Sequence, residues 1–309
     1  MSVVSASPQD QSSLSFWQNP LMQGLWFGSL GMLMFSAGLP ATRMAVLDMP
    51  PVFVGAGRAL IAALLALILL LVTRQKLPSA KQWYGLSLVA LGSVFAYPVL
   101  SALALQQVGA SHGILVTSVM PLFTAFFGAY LTKQWPRIGF WLFALLGAAC
   151  VALYALQHST GPFQLADGYL VLASFLCGFS YAKGAILSKE LGSWQVICWA
   201  LVMSIPVLLP WVWAYQPDYA AVSLQSWLAL GYLSVFTMFI GFFCWYKGLA
   251  IGGIAKVSQL QLLSPFSGLV LSALLLAEPL QWIHWILALT VVGCIASVSY
   301  THLTLPTKA

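Results

Sequence analysis

Apolar residues run along this chain in ten stretches of about 18–25, the length that crosses a bilayer core, with short polar breaks between them. The stretches cover roughly residues 23–41, 50–72, 83–104, 110–131, 137–156, 168–188, 194–215, 224–247, 255–276 and 281–299. Period-two alternation is rare within them, which argues against a β-barrel. They predict an all-α membrane protein with ten transmembrane helices. Composition agrees: 61% of the 309 residues are hydrophobic and 6% are charged, where a soluble domain carries roughly 25% charged residues.

Charge sets the orientation. With the N-terminus in the cytoplasm and the spans alternating, Arg74, Lys76, Lys81, Lys133, Arg137, Lys189, Lys247 and Lys256 fall at cytoplasmic ends, and only Arg43 and Arg58 lie towards the other side. This is the positive-inside asymmetry of short loops. It predicts a multi-pass protein with both termini cytoplasmic, and makes the net charge of +6 a topology signal, not a nucleic-acid footprint. Residues 1–22 are polar and contain no Lys or Arg, so they lack the n-region of a signal peptide and read as a cytoplasmic tail. Residues 300–309 read as a non-native tail. The five cysteines, Cys150, Cys177, Cys198, Cys244 and Cys294, all lie within spans without CxxC spacing. They read as small apolar helix residues, and no metal site or cofactor is expected.

Shifted by 144 residues, the sequence matches itself without gaps. Pro121 meets Pro265, Phe35-Ser36 meets Phe179-Ser180, Gly109 meets Gly253, Trp83 meets Trp227 and Cys150 meets Cys294. Pro, Trp and Cys are scarce enough for this shared register to be informative. Each copy holds five spans. An odd number makes the second copy enter the membrane from the opposite side, so the expected fold is two inverted five-helix repeats. The first covers residues 23–156 and the second 168–299, joined by an external linker at 157–167. Inverted repeats place a site near the midplane at their interface, and rocking of the halves gives alternating access. Pro121 and Pro265 interrupt the fourth and ninth spans at matching places, as hinges or gates or else as static kinks that shape packing.

Two five-span copies carrying FSAGLPATRMAV, VGAGRAL and GASHGILVTSVMPLFTAFFGAYL in the first half, and GGIAKVSQLQLLSPFSGLVLSALLLAEPL in the second, resemble the EamA-type transporters of the drug/metabolite superfamily. The resemblance covers roughly residues 24–298. It implies a small-molecule exporter or exchanger of a bacterial inner (plasma) membrane. Arg43 and Arg58 match basic positions usual at the end of the first helix and early in the second. Gln134 departs from the pattern: it aligns with Glu278 across the repeat, where first-half units commonly also carry Glu.

A transport cavity needs polar or aromatic groups on interior helix faces, because a lipid-facing polar group finds no partner. In the third span Ser93, Tyr97 and Ser101 recur at i, i+4, i+8 on one helical face. Their repeat mates are Thr237, Gly241 and Trp245. Small residues on such a face also allow close helix packing; the paired placement favours a cavity wall. Thr117 and Gln261 are mates one turn before the prolines. Ser36 and Ser180 complete a symmetric ring, which Tyr181 and Lys183 extend. Lys183 either snorkels to the headgroups or meets a substrate carboxylate, and Arg58 faces the same choice, with Asp48 or Glu278 as its expected partner. The substrate-binding candidates are thus Ser36, Tyr97, Ser101, Thr117, Ser180, Tyr181, Lys183, Thr237, Trp245 and Gln261. Candidate gating residues are Pro121, Pro265, the mates His112 and Lys256, and Glu278, expected to be the only acid close to a span. No carboxylate is expected at mid-membrane, so the residues do not support proton coupling.

No phosphate-binding loop, HExxH or Ser-His-Asp set occurs. The chain reads as a transporter, not an enzyme, with an intramembrane enzyme as the rival class. A mostly neutral, aromatic cavity suits amino acids or related amphipathic metabolites. Drugs are an alternative, as are nucleotide sugars, which want more basic groups. The expected partners are a small-molecule substrate and the lipid bilayer.

Overall fold

The computed structural model describes residues 19–135 and 164–279, with isolated positions beyond them. Within them lie eight helices long and apolar enough to cross a membrane. These are α1 (Pro20–Ala45), α2 (Pro51–Val72), α3 (Ala80–Gln107), α4 (Ala110–Thr132), α5 (Leu165–Leu191), α6 (Ser193–Ala214), α7 (Leu224–Gly252) and α8 (Ser258–Leu276). No strand occurs among the described residues. The expected fifth and tenth spans, 137–156 and 281–299, lie outside the described residues apart from isolated positions, as do residues 1–18 and 300–309. Residues 19–22, expected in the N-terminal tail, instead form the cap and first turn of α1.

Helix starts follow local chemistry. Asn19 caps α1 by accepting from the Leu21 amide, with Pro20 in the first turn. Ser79 and Gln82 form a reciprocal capping box at α3. Helix α5 begins at Leu165, before the expected residue 168, and takes the buried Asp167 into its first turn. An acid there is favoured by the helix dipole. This corrects the expectation that Glu278 is the only acid close to a span.

The 144-residue register reappears in backbone shape. Helices α3 and α7 each widen into a π-helical stretch, Ala90–Ala96 in one and Leu233–Ile240 in the other. Helices α4 and α8 are both irregular just before their prolines. Ala110–Thr117 ends at Ser118, and a new helical segment starts at Met120; residues 258–263 form a 3-10 turn and a new segment starts at Ser264. Both then end on a left-handed residue, Lys133 at φ 57° and Ala277 at φ 52°. Each proline therefore opens a segment in its first turn, where its missing amide costs least. In both the fourth and the ninth span the α-helical ladder is interrupted just before the proline by tighter turns, with the backbone remaining right-handed.

The two copies interlock. Helix α1 packs against the last segment of α7, α5 packs against α3, and α2 packs against α6. The first helix of each copy therefore lies on the third helix of the other, and the second helices meet each other. The α1–α7 crossing is close enough to require glycine. A Cβ on Gly24 would lie 2.3 Å from the Gly252 Cα, and one on Gly248 would lie 2.6 Å from the Gly28 amide nitrogen. Such small-residue crossings let backbones approach within a membrane.

The helix ends separate by charge. Arg74, Lys76, Lys81, Lys133, Lys189, Lys247 and Lys256 gather at one end, hereafter the basic end, where Lys247 also sits 3.9 Å above the Phe27 ring. Asp48, Asp167, Asp218 and Glu278 lie at the opposite, acidic end together with Arg43. Glu190 is the one acid of the described residues at the basic end.

Candidate functional site

A cavity of about 80 Å³ lies between the two copies, large enough for more than a water or two, since ~10–15 Å³ suffices for one. Five repeat-related pairs line it: Ser93 with Thr237, Pro98 with Phe242, Thr117 with Gln261, Met120 with Ser264, and Pro121 with Pro265. Both copies thus contribute the same positions to one space. The helix breaks at Ser118 and before Ser264 bring Thr117, Gln261 and both prolines to its wall.

Of the substrate-binding candidates, Ser36, Tyr97, Thr117, Tyr181, Thr237 and Gln261 line the cavity, and Pro121 and Pro265 join them. Four candidates do not line it. Ser180 bonds to Ser93 and to the Val89 carbonyl. Ser101 donates to the Tyr97 carbonyl and accepts from Arg58 behind the wall. Trp245 is fully buried beneath Phe35 and Tyr181. Lys183 lies half-buried on α5, outside the lining.

The remaining candidates serve the ends. His112 Nε2 meets Asp167 Oδ1 at 2.6 Å, joining α4 to α5. Glu278 caps α4: its carboxylate accepts from the Ala110 and Ser111 amides at 2.7 and 2.8 Å and from the Ser111 and Ser272 hydroxyls at 2.6 and 2.8 Å. Burial pushes the Glu278 pKa up, but these bonds outweigh it and hold the pKa below the ordinary value. Lys256 is exposed at the basic end. Arg43 donates to the Leu105 and Gln106 carbonyls, closing the end of α3.

Arg58 is the charge in the wall. It is 3% exposed, and donates to Thr42 Oγ1 at 3.3 Å and Ser101 Oγ at 3.4 Å. Its Nε has no partner. The expected partners, Asp48 and Glu278, are both engaged elsewhere. Asp48 accepts from the Ser223 and Ser226 hydroxyls and the Ser223 amide, which hold its pKa below the ordinary value. Those local serines take up the carboxylates before they reach Arg58.

The wall is not symmetric. Arg58 has Val202 as its repeat mate, Tyr181 has Ala37, and Trp245 has Ser101. Towards the basic end, the rings of Phe35, Tyr181, Phe242 and Trp245 pack together at centroid distances of 5.3–6.2 Å, mostly edge to face. Towards the acidic end the mates of Tyr181, Phe242 and Trp245 are Ala37, Pro98 and Ser101. The mate of Phe35, Phe179, does not line the cavity, and Gly38, Leu39 and Ile114 line it there. Phe35, Met120, Met238, Phe242 and Cys177 also line it, and the polar pattern of the sequence does not single them out. The repeat register applied to Pro98 and to Ser264 points to Phe242 and Met120.

Known proteins agree with this architecture. The description "EamA-like transporter family" matches residues 22–156 and again 164–300, one unit per copy. The chain belongs to the EamA-like transporter family. It is 44% identical over 280 residues to the uncharacterized transporter YdeK of Bacillus subtilis (strain 168), covering 90% of this chain and 98% of that one. The uncharacterized transporter YetK of the same organism is 23% identical over 256 residues, 79% of this chain and 77% of its own. A solved structure 20% identical superposes with a TM-score of 0.65, covering 90% of this chain and 98% of the other, and so shares the fold. The protein is a multi-pass membrane transporter whose partners are a small molecule and the lipid around it.

Proposed function

We propose that this EamA protein exports or exchanges small amphipathic metabolites, amino acids or related compounds, by exposing the central cavity alternately to the two membrane faces. The observation that carries this reading is the set of five repeat-related pairs in one wall. Positions that are equivalent in oppositely oriented copies can exchange roles when the copies rock, which is how inverted repeats give alternating access. Two helices interrupted before their prolines meet at the same wall, a place where a helix can bend as the copies rock.

The basic end is the cytoplasmic one on the positive-inside rule. In this reading the aromatic cluster, on that side of the cavity, is a gate closed to the cytoplasm. A gate of packed rings suits this task, since edge-to-face pairs each add about 0.5–1.5 kcal/mol beyond burial. The inner bacterial membrane and cytoplasmic termini belong to the same proposal. So do the repeat boundaries at 23–156 and 168–299, with the external linker 157–167 between them.

Counterflow in proteoliposomes tests it. Vesicles loaded with a mixture of unlabelled amphipathic metabolites should accumulate a labelled one only when the protein is present. Filling the cavity with Thr117→Trp should abolish that accumulation while the variant still elutes as folded protein. Undiminished counterflow in Thr117→Trp would remove the cavity from the pathway.

A further inference from the structure

The cavity wall carries one full positive charge and, among the described residues, no acid to balance it. The His112–Asp167 pair is the one ion pair of the described residues, and Asp48 and Glu278 are held by serines. Arg58 makes two long bonds to neutral hydroxyls. Both hydroxyls spend their own protons elsewhere, Thr42 on the Gly38 carbonyl at 2.7 Å and Ser101 on the Tyr97 carbonyl at 2.6 Å. They therefore present lone pairs to Arg58 and hold it in place without neutralising it.

A buried ion without a counter-charge is costly. A structural arginine at such a site would be expected to have a carboxylate beside it. An arginine that waits for its counter-ion would look as this one does: oriented, buried, with Nε free and the guanidinium in a cavity wall. Charge balance then selects the ligand. A monoanion leaves the occupied cavity neutral. A zwitterion leaves the net charge of the empty cavity, a cation adds to it, and a dianion inverts it. The rest of the wall, with Phe35, Tyr181, Phe242, Met120 and Met238, suits an apolar or aromatic body. Gln261 Oε1 is buried without a partner and would accept from a hydroxyl or amide on that body.

We infer that Arg58 is the anion anchor of the cavity, and that the preferred substrates are monoanionic carboxylates with an apolar body, ahead of zwitterionic amino acids. The inference rests on the reading of the cavity as the transport site and narrows its substrate class. The guanidinium fork matches a carboxylate with two parallel bonds, using the donors that Thr42 and Ser101 leave available.

The test is a matched series of probes on the full-length protein in detergent, read by quenching of tryptophan fluorescence or by calorimetry. 3-Phenylpropanoate, its neutral amide, phenylalanine and 2-phenylethyl phosphate share one ring and differ in charge. The expected result is that 3-phenylpropanoate binds about 10- to 100-fold more tightly than the amide or phenylalanine, the range lost with a charged hydrogen-bond partner. Arg58→Gln should remove that preference, and Arg58→Lys should keep part of it. Tighter binding of phenylalanine or of the phosphate, or no saturable binding of 3-phenylpropanoate, would overturn the inference without needing any variant. So would a folded Arg58→Gln protein with unchanged preference. Thr117→Trp separates the two levels. If it abolishes probe binding while Arg58→Gln does not alter the ranking, the anchor is wrong and the cavity stands. If probes bind Thr117→Trp as they bind wild type, the cavity reading itself fails.

Discussion

Trp245 occupies in the second repeat the position that Ser101 occupies in the first, and the two stand at opposite ends of one cavity. Trp245 packs beneath Phe35 and Tyr181; Ser101 supports Arg58. The same fold position thus backs an aromatic cluster in one copy and holds an arginine in the other. Trp245→Ala should unpack that cluster, lowering stability by about 3–5 kcal/mol. It should also expose Cys177, which lines the cavity and is 1% exposed, to maleimide added at the basic end. Unchanged labelling of Cys177 would mean that the rings do not close that path.

The prolines give a second prediction. Pro121→Ala supplies an amide that can bond the Thr117 carbonyl, so the segments Ala110–Thr117 and Met120–Thr132 can fuse into one helix. Counterflow should slow severalfold while probe affinity changes little, because the polar wall is retained. Pro265→Ala should act alike on α8. If both variants transport at the wild-type rate, the breaks shape packing only.

Much of the fold is legible in the sequence because the repeat register carries over to backbone geometry. The matched prolines, the left-handed Lys133 and Ala277, and the pairing of Ser93 with Thr237 all obey the 144-residue shift. The departures have physical causes. Ser93 and Tyr97 both reach the wall as their spacing predicts, and Ser101 follows Tyr97 by one regular α-helical turn. Ser101 is taken up by Arg58, which bonds its hydroxyl and lines the cavity in its place, and a helical face read from spacing does not show that neighbour. The isolation of Arg58 is not legible because composition does not show that Ser223, Ser226, Ser111 and Ser272 claim the nearby acids. Asp167 is hidden for a similar reason: an acid at the edge of an apolar run looks like a loop residue until His112 is seen to meet it.

Glu278 gives a pH prediction. Its folded pKa lies below the ordinary 4.5, so its stabilising contribution is complete above that value. The contribution is lost as the pH falls through the depressed folded value. Thermal unfolding should show a fall in stability below about pH 4.5 that Glu278→Gln lacks. At neutral pH the variant should be less stable by about 1–2 kcal/mol, through lost acceptors at the α4 N-terminus. Parallel pH curves would exclude the cap as a source of stability.

The glycine crossing supplies an internal control. Gly248→Ala places a methyl 2.6 Å from the Gly28 nitrogen, and should cost about 1–3 kcal/mol as α1 and α7 are pushed apart. Gly231 lies in the same helix, and a methyl added there would meet nothing within 4 Å. Gly231→Ala should be neutral or should stabilise by about 0.5–1 kcal/mol. Equal effects on thermal unfolding would show that the crossing is looser than described.

Exchange of roles between the copies is the central claim, and Leu39 and Lys183 report on it directly. They are repeat mates, yet Leu39 lines the cavity and Lys183 does not. When the copies exchange conformations, Lys183 should enter the wall and Leu39 should leave it. The decisive measurement is labelling of Leu39→Cys and Lys183→Cys, each in a cysteine-free background, with an impermeant thiol reagent applied from either face of sealed vesicles. Leu39→Cys should label from the acidic end and Lys183→Cys from the basic end, and a transported compound should raise one rate while lowering the other. Rates that rise and fall together, or a Lys183→Cys protein that transports but never labels, would contradict the account.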